Sequence, residues 1–195
     1  MPPANNPLRQ IMDRSERPVR RVVTGNGPDG KSRVISDSAN PWRYPRGGGS
    51  KIVYTELWTF DSSPVPLAST GDGADRPMSV SPPAKGAHFR ITQAGLEDNA
   101  AVDPAEAEKQ FAAMNANALS ETKAGARHWH MHRTRTVDYG IVLWGERVQV
   151  LPDSEFTMRK GDVIIQLAHW HSWDNSKSAG AMMFDMIGGE YPDGT

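Results

Sequence analysis

From residue 128 to residue 187 the chain is a succession of short β-type runs cut by turn residues. No fold built on long helices or a parallel sheet accommodates that pattern. The runs fall at 128–135, 138–144, 146–151, 154–158, 162–166, 170–174 and 181–187. Turn residues separate several of them, at Gly145-Glu146, Pro152-Asp153, Lys160-Gly161 and 175–180. Eighteen glycines and fifteen prolines in 195 residues agree with many turns and few long helices. The expectation is an all-β domain closed as a sandwich, jelly roll or barrel.

The upstream part is more mixed. Residues 1–17 are polar, aperiodic and proline-containing, which predicts a flexible arm. In 19–35 two apolar-rich runs flank GNGPDG and predict a β-hairpin. A loop over 36–50 leads to a strong strand at 51–60. A long irregular connection over 61–86 leads to a short strand at 87–91. One helix stands out at 104–118: Asp103 can cap it, Pro104 suits the first helical position, and Glu106 completes a capping box.

Composition narrows the function classes. With no cysteine, disulfides, thiolate metal sites and cysteine nucleophiles are ruled out. A net charge of −1 with scattered Lys and Arg speaks against nucleic-acid binding. MPPANNPLRQ is not built like a secretory signal, and no run approaches the length of an apolar membrane span, so a cytoplasmic protein that does not engage membranes is expected. GNGPDG lacks the Lys-Ser/Thr ending of a phosphate loop and RGGGS is no dinucleotide fingerprint, so no nucleotide cofactor is expected.

The chemistry-bearing residues are the histidines. In HWHMHRT, period-two alternation puts His128, His130, His132 and Thr134 on one face of a strand. Converging imidazoles are a common way to hold a divalent transition metal, and His171 adds another downstream. Without a metal the same residues suit acid–base work: His132 or His171 removes a proton while Tyr139 or the other histidine returns one. His169 and Trp173 bracket His171 on its side of the strand and would contact a substrate or wall the pocket.

Residues 128–175 resemble the two motifs of the cupin superfamily. Asp138, separated by six residues from Gly145, falls where the first motif has its glutamate; counting back places Thr134 and His132 at its two histidine positions. The second motif matches at Gly161, His171 and Asn175. It is one residue short, and Leu167 and His169 replace the expected proline and glycine. RRVVTGNGPDGKSRVISD, MHRTRTVDYGIVLWGE and GDVIIQLAHWHSWDN resemble a group of small single-barrel bacterial cupin proteins with a His-Arg-Thr…Asp-Tyr pattern.

The resemblance implies a double-stranded β-helix, the cupin jelly roll, at 120–190. It would carry an N-terminal β extension, loop and peripheral helix over 18–119. It implies metal ligands at His132, Asp138 and His171, for Fe, Zn, Ni or Mn; a strand shift would instead pair His130 with His132 and add His171, and Thr134, His128, His169 and Trp173 are the expected substrate contacts. The expected function is an enzyme performing lyase- or isomerase-type chemistry on a small oxygenated metabolite. The alternatives are an Fe(II)-dependent dioxygenase and a non-catalytic small-molecule binding cupin. A homodimer is expected, since an N-terminal β segment without a neighbour can pair across an interface.

Overall fold

The strand on which the architecture turns is β6, Thr136–Val150. The computed structural model describes residues 17–46, 50–67, 71–96, 103–114, 127–128 and 131–191. Most of the expected arm therefore lies outside the described residues. Gly145 does not end a strand as the sequence suggests. The chain runs through it at φ 69°, and an irregularity opposite Ala181 and Met182 bends β6 there. An added Cβ at Gly145 would stand 2.1 Å from the Ala179 carbonyl oxygen, so only glycine fits the corner.

The bend lets one strand serve two surfaces. The first part of β6 pairs with β10 (Gly180–Gly188) and β8 (Val163–Leu167). The last part pairs with β7 (Glu155–Arg159) and β9 (Ser172–Asp174). On the far side of β10 lie β5 (Ala87–Ala94), β4 (Ile52–Phe60) and β3 (Arg43–Pro45), in that order. All these pairings are antiparallel, and the curled sheet is an all-β jelly roll. Strands before residue 120 are thus built into the same sheet as those after it. Their apolar faces have no other layer to pack on.

The hairpin expected in the N-terminal region is present as β1 (Arg20–Asn26) and β2 (Ser32–Ala39), a separate two-stranded sheet. Arg21 fastens it to the barrel by pairing with Asp72 and donating to the Leu57 carbonyl. Helix α1, Pro104–Ala113, begins as expected, with Asp103 Oδ1 accepting from the Ala105 N–H at 2.8 Å.

Cross-strand register arranges the interior in rows. Gln166, Asp138, Met186, His88 and Thr59 lie opposite one another across β8, β6, β10, β5 and β4, and the next inward row is Ile164, Gly140, Phe184, Arg90 and Glu56. Around Met182, which is fully buried, pack Val142, Met158, Phe184 and Met186. Each such side chain stabilises the fold by about 1.5–3 kcal/mol. The polar members of the rows are as buried as the apolar ones, so each has to find a partner inside.

Residues 131–135 do not continue the expected strand over 128–135. His132 makes an isolated antiparallel bridge with His171, and the Arg135 carbonyl accepts from the Gly189 N–H at 2.9 Å, but the segment forms no continuous strand.

Candidate functional site

A cavity of about 80 Å3, room for roughly half a dozen waters, lies inside the barrel. Ile52, Val80, Met114, Phe184 and Met186 give it an apolar side. His132, His171, Asp138, Gln166, Arg90 and Arg147 give it a polar one.

The bridge positions the two histidines. His132 N–H donates to the His171 carbonyl at 2.9 Å and His171 N–H to the His132 carbonyl at 2.8 Å. Their rings stand 4.6 Å apart at 50°. His171 Nδ1 lies 3.0 Å from the His169 carbonyl oxygen, and its Nε2 lies 3.3 Å from Gln166 Nε2. Gln166 Nε2 also donates to Asp138 Oδ2 at 2.9 Å. The other Asp138 oxygen, Oδ1, is buried with no hydrogen-bond partner.

Burial drives the electrostatics. Taking Asp138 out of water pushes its carboxyl above the usual carboxylate range, while the nearby Thr136 hydroxyl, the Gln166 amide and the charge of Arg90 oppose the rise. Burial, and then the neighbouring His132, hold the His171 imidazole well below its ordinary range. Burial thus works against the charged form of both groups.

Arg147 lies under the cavity with its guanidinium over the Trp173 ring at 5.6 Å, donating to Asn175 Oδ1. Arg90 pairs with Glu56 at 2.6 Å, both nearly inaccessible. It also donates to the Ser79 and Val80 carbonyls, holding that loop over the cavity.

Of the expected site residues, His132, His171, Asp138 and Trp173 line the cavity together. Tyr139 does not. Strand alternation turns it to the outer face, 45% exposed, in register with Ile165 and Asp185, so it cannot hand a proton to the pocket. Thr134 is buried against Thr136, Oγ1 to Oγ1 at 2.7 Å, away from the cavity lining. His128 is not on the face of His132; its Nδ1 meets Ser172 Oγ at 2.6 Å. His169 stands behind the site, its ring 5.2 Å from that of His171, and does not line the cavity. His130 lies outside the described residues.

Among the described residues, no group of three or more His, Cys, Asp or Glu side chains gathers closely enough to hold a metal ion. The donors do not fit one as they stand, because an amide N–H2 fills the space between His171 Nε2 and Asp138 Oδ2. The sequence reading gave no role to Gln149, Gln166, Arg90 or Arg147. Gln166 did stand in the Gly-Asp-x-x-x-Gln stretch, and a buried amide within a strand of valine and isoleucine is the signal that could have marked it.

No protein-family model matches the chain. It is 43% identical over 53 residues to a cupin-domain-containing oxidoreductase, virC, of Hypocrea virens, a match covering 27% of this chain and 27% of that protein. The chain therefore spans about a quarter of the length of that relative. Among solved structures, the EutQ protein of Clostridium difficile aligns with 87% of this chain and 97% of its own, at 7% identity and a TM-score of 0.44. Streptomyces albus HEPD, solved with 2-hydroxyethylphosphonate and Fe(II), aligns with 88% of this chain and 29% of its own, at 13% identity and a TM-score of 0.39. Among the described residues no helix is long and apolar enough to cross a membrane. The chain is thus an all-β jelly roll that fastens His132 to His171 inside its barrel, and over about a quarter of its length it is similar to a cupin-domain protein.

Proposed function

We propose that this chain is a cupin-fold enzyme that moves a proton on a small oxygenated organic molecule, in lyase- or isomerase-type chemistry. The observation that carries the reading is the buried Asp138 carboxyl, one oxygen held by Gln166 and the other without a hydrogen bond, in a residue that lines a small cavity together with the His132–His171 pair. A substrate C–H beside a carbonyl would lose its proton to His132 or Asp138, its electron pair passing to the carbonyl oxygen. The proton then returns at a neighbouring atom, or a β-hydroxyl leaves as water. Both nitrogens of His171 are engaged, by His169 and Gln166, which makes it a fixed wall and gives the proton work to the other two. The Arg147 guanidinium would steady developing negative charge on the substrate oxygen.

The test is deuterium incorporation from D2O into a panel of small hydroxy- and keto-acids, followed by proton NMR. His132→Ala and Asp138→Asn should each slow exchange by about 10^2–10^4-fold. Exchange unchanged in both would overturn the reading. Tight binding of a panel member without exchange would instead make the protein a binding cupin.

A second reading is a metal-dependent enzyme, including an Fe(II) dioxygenase. What favours it is the donor set itself, two imidazoles and a carboxylate lining one cavity. It requires Gln166 to leave its place or His130 to contribute. Stoichiometric iron in the purified protein, with oxygen uptake, would support it; zinc, nickel or no metal would count against the dioxygenase.

We further propose a homodimer acting in the cytoplasm. Val163, Ile165 and Leu167 on β8 are each more than half exposed, an apolar row suited to a second copy.

A further inference from the structure

Gln149, Gln166, Asp138 and His171 are all buried, the last three at the cavity wall, so the Gln149 and Gln166 amides and the His171 ring nitrogens find their partners within the protein. That requirement fixes their orientations one after another. A carbonyl oxygen only accepts, so His171 Nδ1, 3.0 Å from the His169 oxygen, carries the ring proton. In the neutral imidazole the lone pair is then on Nε2, and Nε2 needs a donor. Gln149 Nε2 donates to Gln166 Oε1 at 2.6 Å, which turns that oxygen away from the site. The two hydrogens of Gln166 Nε2 are left for Asp138 Oδ2 at 2.9 Å and His171 Nε2 at 3.3 Å. Every donor in the chain meets an acceptor, and rotating either amide would set like against like.

We propose that Gln166, oriented by Gln149, is the positioning residue that joins Asp138 to His171, its amide standing where those two side chains would otherwise share a cation. It locks His171 in the Nδ1–H form and fixes the Asp138 carboxyl by one of its oxygens. Asp138 and Gln166 are direct cross-strand partners, so the link is set by the β6–β8 register and not by a mobile loop.

The tautomer and metal readouts of this inference stand apart from the proton-transfer reading. Nitrogen-15 NMR of the imidazoles in the wild-type protein should show His171 as the neutral Nδ1–H tautomer at pH 7. Titration with Zn(II) or Co(II) should find weak binding in the wild type and binding tighter by about tenfold or more in folded Gln166→Ala. Gln149→Leu, which frees the amide to rotate, should mix the His171 tautomers, and Gln166→Asn should not restore the wild-type signal because its amide is a methylene short. An Nε2–H tautomer in the wild type would overturn the proposal without recourse to any variant. So would tight wild-type metal binding that Gln166→Ala leaves unchanged or weakens. If the tautomer result holds while His132→Ala and Asp138→Asn both leave deuterium exchange unaltered, the proton-transfer reading fails and the positioning role stands.

Discussion

His132 and His171 hold each other by two backbone hydrogen bonds, 2.9 and 2.8 Å, while their rings stand 4.6 Å apart. The clamp is made of main chain, so it survives changes to either side chain. His132→Ala should therefore cost under about 1 kcal/mol of stability. It should nonetheless lower turnover by about 10^2–10^4-fold. Thermal melts run beside the deuterium assay check this; a melting loss typical of a core residue would make the ring structural.

Stability should fall as pH drops below about 6.5, the ordinary imidazole value. His171 and His88 are held well below that value by burial, and His128 and His169 are lowered by the same cause. Between the depressed folded value and 6.5 the unfolded chain binds protons that the native chain refuses, so acid favours unfolding. Asp138 works the other way. Its carboxyl is raised, so its native form keeps a proton the unfolded chain has lost, and its contribution declines as pH rises through the carboxylate range. Urea unfolding at pH 7.5 and 5.5 measures the slope, and His88→Gln should flatten it.

The Arg90–Glu56 pair, 2.6 Å apart with side chains 4% and 5% exposed, should not tolerate loss of one partner. Arg90→Met leaves Glu56, whose carboxyl burial already pushes up, without its cation. The expected cost is about 3–5 kcal/mol. Glu56→Leu combined with Arg90→Met should recover most of it, and a double-mutant cycle by urea unfolding reads the coupling.

Two glycines with positive φ should differ sharply in their tolerance. Gly161 has φ 92° with nothing near a new Cβ, so Gly161→Ala should cost only about 1–2 kcal/mol of backbone strain. Gly145→Ala adds to similar strain a contact of 2.1 Å with the Ala179 carbonyl, and should lower the urea midpoint much further. Equal midpoints would show that the β6 corner relaxes.

If β8 is a dimer surface, Ile165→Asp should yield a folded monomer by light scattering. Ile165 is 51% exposed on the outer face, so the change leaves the barrel interior alone. A monomeric wild type would refute the dimer.

What the sequence determined by itself is whatever depends on neighbours along the chain. GNGPDG made its hairpin and Asp103-Pro104 opened its helix because turn and cap chemistry act over a few residues. The alternation of short apolar runs was enough to indicate an all-β barrel, and motif spacing singled out His132 and His171. Tertiary structure decided what depends on pairing between distant segments. Tyr139 and Asp138 are adjacent in sequence, and only the β6–β8 and β6–β10 registers put the carboxyl inside and the phenol outside. The same registers set Gln166 beside Asp138, and the bend at Gly145 lets β6 bring Asp138 and Gln149, from its two ends, to the one amide of Gln166. A strand's period fixes which residues share a face but not which face is buried; that follows from the sheet closing on itself, with the polar residues trapped inside hydrogen-bonding to one another.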